Sequence, residues 1–170
     1  MAFPASSDYD TFFSRYIDQV KEDDLRTAFA TQLPSIMEVL ASINEQQSLY
    51  TYAAGKWTMR EMLQHIIDAE RIFAYRALCI ARKEKSGLPA FDENEYAANS
   101  NSNQRHWKSL CNEFMNTRLS SQDMFASFTE EMLNTQGIAN NRSITVLSLG
   151  YIIVGHVYHH ISVLKEKYLK

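Results

Sequence analysis

Three of the five histidines have the spacing to hold a metal ion. His156 and His160 are four residues apart, so on an α-helix they differ by about 40° and sit one turn, roughly 6 Å, from each other. On the same wheel Leu149, Ile152, Ile153, Val163 and Leu164 fall within about 80° of His156, and the pair therefore points into an apolar stripe. His65 stands likewise among Met62, Ala69, Ile72, Phe73, Cys79 and Ile80. A lone inward histidine usually satisfies itself with a carbonyl or a carboxylate. Three that converge in an apolar cavity instead offer a divalent cation neutral nitrogen ligands and leave positions open for water or substrate. Zinc is the leading expectation, with nickel, iron and manganese open alternatives because nitrogen ligands alone discriminate weakly.

Convergence depends on the elements that carry the rings. The helix of His65 opens at Thr58-Met59-Arg60-Glu61, a capping box, and should continue to about Lys83. The helix of His156 and His160 should run from about Ser143 to Tyr168. Counting rise along the axes, His65 is ~10 Å from the start of its helix, and His160 and His156 are ~12 and ~18 Å from the end of theirs. Antiparallel packing puts all three at one depth, whereas parallel packing would offset them by on the order of 10 Å. Two further long helices are expected, from Asp23 or Asp24 to about Ile43 and from about Gln104 to about Leu133, with Gly137 and the Asn140-Asn141 pair breaking the chain before the last helix. A short lead-in helix over residues 9–20 places Phe12, Phe13, Tyr16, Ile17 and Val20 at helical spacing. The expected fold is all-α, a four-helix bundle in which the crossover over residues 85–103 is long enough for helices two and three to run parallel.

Other candidates carry weaker signals. Asp68, one turn after His65, could accept a ring N–H and hold its tautomer. Arg76 lies within about 20° of His65 on the wheel, so an ion pair with a carboxylate such as Glu113 or Glu130 is expected to compensate its burial. His159 falls at the edge of the stripe, His106 reads as a surface residue, and Trp57 with Thr58 should lock the helix entrance. The chain shows no Ser/His/Asp elbow, P-loop or dinucleotide-binding glycine pattern.

Composition narrows the classes. The chain has 170 residues, the length of one domain over 1–170, and only five glycines and three prolines, which argues against a turn-rich β-sandwich. Seventeen basic and twenty acidic side chains give a net charge of −3, so a nucleic-acid partner is not expected. Cys79 and Cys111 are too few for a disulfide framework and read as reduced thiols. Residues 1–10 show no leader, and a cytoplasmic location is the expectation. Residues 143–164 lack Asp, Glu, Lys and Arg and are long enough to cross a bilayer, yet three histidines and several hydroxyls among them argue for a core helix and against a membrane partner.

The motifs resemble those of a known family. Gly55-Lys56-Trp57-Thr58 leading into His65-Ile66-Ile67-Asp68-Ala69-Glu70-Arg71 and Tyr75-Arg76-Ala77-Leu78 resembles the signature of the DinB-like, YfiT-like superfamily. Gly155-His156-Val157-Tyr158-His159-His160, followed by Leu164 and Tyr168, and the crossover segment Leu88-Pro89-Ala90-Phe91-Asp92-Glu93 resemble it too. The resemblance implies a four-helix bundle with a crossover between helices two and three, a divalent metal at His65, His156 and His160, and frequent dimers. Some relatives are S-transferases that use low-molecular-weight thiols such as bacillithiol, mycothiol or glutathione, and many others are labelled metal-dependent hydrolases.

Two functions of different class follow. In the first, the protein is an enzyme acting on a small molecule, in which the metal lowers the pKa of a bound water or thiol for hydrolysis or S-transfer. In the second, it is a non-catalytic, metal-binding or dimerising stress-response bundle. The outward arc of the last helix, Leu147, Tyr151, Val154, Tyr158 and Ile161, is also apolar and must be covered by the lead-in helix or by a second copy, with a homodimer the expectation.

Overall fold

Capping side chains set where the first long helices begin. Asp24 accepts from the Thr27 amide at 2.9 Å, and the Thr58 and Glu61 side chains satisfy each other's amides in the expected capping box. The computed structural model describes residues 3–169; Met1, Ala2 and Lys170, at the ends of the domain expected over 1–170, lie outside the described residues. After a 3₁₀ turn at Thr11–Phe13 the helices are α1 (Ser14–Ile17), α2 (Leu25–Ala41), α3 (Met59–Ala81), α4 (Glu93–Asn99), α5 (Trp107–Ala126) and α6 (Glu130–Leu133). A hairpin, β1 (Gln136–Ala139) and β2 (Arg142–Thr145), leads into α7 (Val146–Val163), which a π-helical turn extends to Tyr168.

The long helices α2, α3, α5 and α7 form the expected four-helix bundle. Gln64, early on α3, meets Arg105 just before α5, whereas Glu70 and Arg71, farther along α3, meet Arg118 and Glu113 farther along α5, so α3 runs parallel to α5. Tyr168 donates to the Trp57 carbonyl while His65 faces His156 and His160, so α3 and α7 are antiparallel. The crossover that permits this order carries α4 and is tied down at its end: Arg60, buried at the start of α3, donates to the carbonyls of Asn103, Arg105 and Glu45, and Thr58 donates to Asn103.

The structure departs from the sequence reading between α5 and α7. The third long helix ends at Ala126, not near Leu133, and the break expected at Asn140-Asn141 is a two-stranded antiparallel hairpin pairing Gln136 with Thr145 and Ala139 with Arg142. Asn140 and Asn141 both take positive φ, 52° and 58°, the backbone of a hairpin turn whose twist matches its strands. Leu88 joins this hairpin through bonds to Ile138 and Asn140, fixing the crossover beside it.

The outward arc of α7 is covered within the chain. Tyr151 and Val154 are fully buried, and α1 packs across the helix because Gly155 admits it: a Cβ there would stand 2.0 Å from the Tyr16 carbonyl oxygen. The arc therefore no longer calls for a second copy. By length and composition Val146–Tyr168 could cross a membrane, but 72 % of its most apolar window is buried inside the protein.

Candidate metal centre

α3 and α7 bring the three histidines to one place. Nε2 of His65 and Nε2 of His160 each lie 3.1 Å from Nε2 of His156, and the potential ligand atoms of the three rings are within 4.8 Å of one another. Nitrogens bound to one zinc ion at about 2.0–2.1 Å are about 3 Å from each other, so this donor set fits a single cation. The matched depth inferred from helix rise is thus what the structure has.

The electrostatics favour neutral rings. Burial, with a smaller contribution from the charge of His159, pushes the His65 pKa down to about 4. Burial also holds His156 and His160 well below the ordinary histidine range, with neighbouring imidazoles adding to it. At neutral pH the rings are uncharged and their lone pairs are available to a cation. Neighbouring aromatics fix their planes: Trp57 lies 4.8 Å from His65, and Tyr16 and Phe73 present edges to His156 at 5.2 and 5.9 Å.

The rings form part of the wall of a cavity of about 290 Å³. Tyr16, Trp57, Phe73 and Phe91 give it aromatic walls, while Arg15, Arg76 and Glu93 bring charge. Four separate stretches of chain supply these groups: α1, the entrance to α3, α3 itself and the crossover. Asn140 at the hairpin turn closes another side.

The other expected residues divide. His159 lines the cavity half-buried, as its place at the stripe's edge suggested, and His106 is on the surface beside Glu45. Trp57 holds the entrance of α3 through Tyr168 but also faces His65, a contact the sequence reading did not assign. Asp68 does not hold a histidine ring: its Oδ1 accepts from Gln64 at 2.9 Å and lies 3.8 Å from Arg71, two long side chains of its own helix that draw it to the outer flank. Arg76 has no ion pair with Glu113 or Glu130. Glu113 pairs instead with Arg71 and Arg105, and Arg76 donates through Nη2 to the Pro89 carbonyl and lines the cavity. Cys111 is a buried thiol whose pKa burial raises to about 11, and neither cysteine is bonded to another.

Tyr16, Arg15 and Phe91 escaped the sequence reading because they reach the site from the lead-in helix and the crossover, where no local spacing relates them to a histidine. For the hairpin a signal was present: an Asn-Asn pair between short β-branched stretches suits a turn with two positive φ angles.

Comparison with known proteins bears on the family and the fold. A family model described as the DinB superfamily matches residues 16–164. A protein of Oceanobacillus iheyensis that carries the name "Putative metal-dependent hydrolase" is 28 % identical over 132 residues, 75 % of this chain and 74 % of that protein. The solved structure of YfiT from Bacillus subtilis, described as "a probable metal-dependent hydrolase with an unusual four-helix bundle topology", is similar with a TM-score of 0.70. That similarity covers 96 % of this chain and 89 % of YfiT at 16 % identity, a likeness of fold.

Proposed function

The chain belongs to the DinB superfamily, and we propose that it is a metal-dependent hydrolase of a small molecule, with His65, His156 and His160 as the ligands of a divalent cation. Zinc is the metal we expect, since a set of three neutral imidazoles with open positions suits it. A divalent cation there would supply Lewis acidity, lowering the pKa of a water so that a nucleophile exists at neutral pH.

The chain's own residues do the rest. Burial keeps the three imidazoles unprotonated, and Trp57, Tyr16 and Phe73 hold their planes and exclude bulk water from one side. The name of the Oceanobacillus iheyensis relative supports hydrolysis over S-transfer. So does space: a cavity of about 290 Å³ lies at the low end of ligand pockets and suits one small substrate with water better than a substrate beside a thiol cofactor.

The reading is carried by one observation, three imidazole nitrogens, from two buried rings and one half-buried ring, that face one another in the wall of a cavity. Elemental analysis of purified protein should find a divalent metal that is lost in His65→Ala and His156→Ala proteins that still melt cooperatively. Turnover of a panel of small esters, amides and lactams should stop with a chelator and return with metal. Unchanged turnover by a metal-free His65→Ala protein would overturn the role of the metal, and turnover that requires an added thiol would make the protein an S-transferase.

A further inference from the structure

Among the described residues Arg76 is a buried cation without a counter-charge. Its residue exposure is 5 %, burial lowers its pKa, and a guanidinium stays protonated at neutral pH all the same. One hydrogen bond, from Nη2 to the Pro89 carbonyl, and the flanking rings of Phe73 and Phe91 at 5.8 and 5.9 Å are its partners. Among the described residues no sealed side-chain nitrogen or oxygen lacks a hydrogen-bond partner, so the guanidinium nitrogens that Pro89 leaves unused open onto the cavity Arg76 lines.

A buried charge is costly unless paired, and the other two buried arginines among the described residues are paired: Arg118 has Glu70 and Arg60 has Glu45. Arg76 looks instead along the face of α3 that carries Phe73, Ala69 and His65, all of which line the same cavity. His65 and Arg76 are eleven residues apart, about 16 Å along the axis, and side chains on a helix lean toward its amino end, which shortens the gap from the Arg76 side. The cavity thus has a histidine end and a guanidinium end joined by aromatic walls.

We propose that Arg76 binds the carboxylate of the substrate, so that the cavity takes a small aromatic or aliphatic carboxylate whose reacting group lies at the histidine end. A planar guanidinium with free N–H groups matches a carboxylate in bidentate fashion. The place of the reacting group rests on the hydrolase reading above; the carboxylate contact does not, because it involves no metal.

Metal-free protein in chelator is titrated calorimetrically with 3-phenylpropanoate and 5-phenylpentanoate and with their primary amides. At least one carboxylate should bind about tenfold or more tightly than its amide, the difference expected for one charge-assisted contact. Arg76→Gln should abolish that preference and leave the amide's affinity within about twofold, which a collapsed cavity would not do. Arg76→Lys should retain part of the preference. Equal binding of acid and amide by the unaltered protein, a preference that survives in Arg76→Gln, or no binding of any probe at millimolar concentration would each overturn the proposal. The comparison on the unaltered protein decides even if the glutamine variant fails to fold, and a negative result would leave the metal analysis intact.

Discussion

Two polar clusters lie side by side in the middle of the bundle, and only one is complete. On every long helix the buried apolar residues pass from one cluster to the other near this level: Gln32, Arg118 and His156 stand at the change on α2, α5 and α7, and on α3 His65 and Glu70 flank it, one on either side of Ile67 and Ala69. On one side Arg118, fully enclosed, donates to both carboxylate oxygens of Glu70 at 2.9–3.1 Å and to the Gln32 amide oxygen, while Gln32 donates to the Val154 carbonyl. The faces of Phe29 and Phe114 cover the guanidinium. On the other side Nε2 of His156 meets Nε2 of His65 and Nε2 of His160, and among the described residues these three nitrogens have no other hydrogen-bond partner. A saturated cluster joins α2, α3, α5 and α7 and asks for nothing more. Lone pairs turned toward a common centre leave a place for a cation.

The sharpest way to break that contrast is to unbalance the complete cluster. Glu70→Ala leaves the Arg118 charge buried and unpaired and should cost about 3–5 kcal/mol in urea unfolding. His65→Gln in metal-free protein removes no counter-charge and should cost under about 1.5 kcal/mol. Equal losses would mean that the histidines are as much a part of the scaffold as the ion pair.

Acid separates the two sides differently. His65 has a pKa of about 4 in the fold against about 6.5 in an unfolded chain, and His156 and His160 are lowered too. Between those values the unfolded chain binds more protons, so stability is complete above about pH 6.5 and falls as the pH drops toward 4. In chelator, each histidine should contribute a slope of up to about 1.4 kcal/mol per pH unit to urea unfolding between pH 6.5 and 5. His65→Gln should make the dependence shallower. A flat profile would show that the rings gain protons as easily in the fold as out of it.

The contrast also marks how far the sequence could be read. The histidine side was legible because its evidence is local: a four-residue spacing on one apolar stripe, a capping box that fixes the start of the other helix, and rise arithmetic that matches their depths. The parallel course of α3 and α5 followed from the length of the crossover. The Arg118–Glu70–Gln32 cluster was not legible, because its members stand on three helices and each, taken alone, is an ordinary polar residue on a bundle helix. Arg60 escaped for the same reason, since its partners are backbone carbonyls, the Ser48 hydroxyl and the Glu45 carboxylate of two distant loops. Arg76 was noticed as a buried charge, and the reflex to find it a carboxylate hid that it faces a cavity.

Asp68 gives the smallest expected effect and the finest test of where the histidine cluster ends. Sequence position makes it the natural carboxylate to hold a ring of His65, and a partner of that kind usually changes metal affinity 10–100-fold when removed. In the structure its oxygen accepts from Gln64 and lies near Arg71, and its side chain keeps 24 % of its exposure. Asn in its place preserves an acceptor for Gln64 and loses one long, half-exposed ion pair, so Asp68→Asn should change stability by less than about 0.5 kcal/mol. Metal affinity, measured by competition with a chelator, should stay within about twofold of the unaltered protein, far short of the loss that a ring-holding carboxylate would produce. A fall of about tenfold would place the Asp68 carboxylate behind His65 in the metal-loaded protein, and the cluster would then include a charge that its present partners conceal.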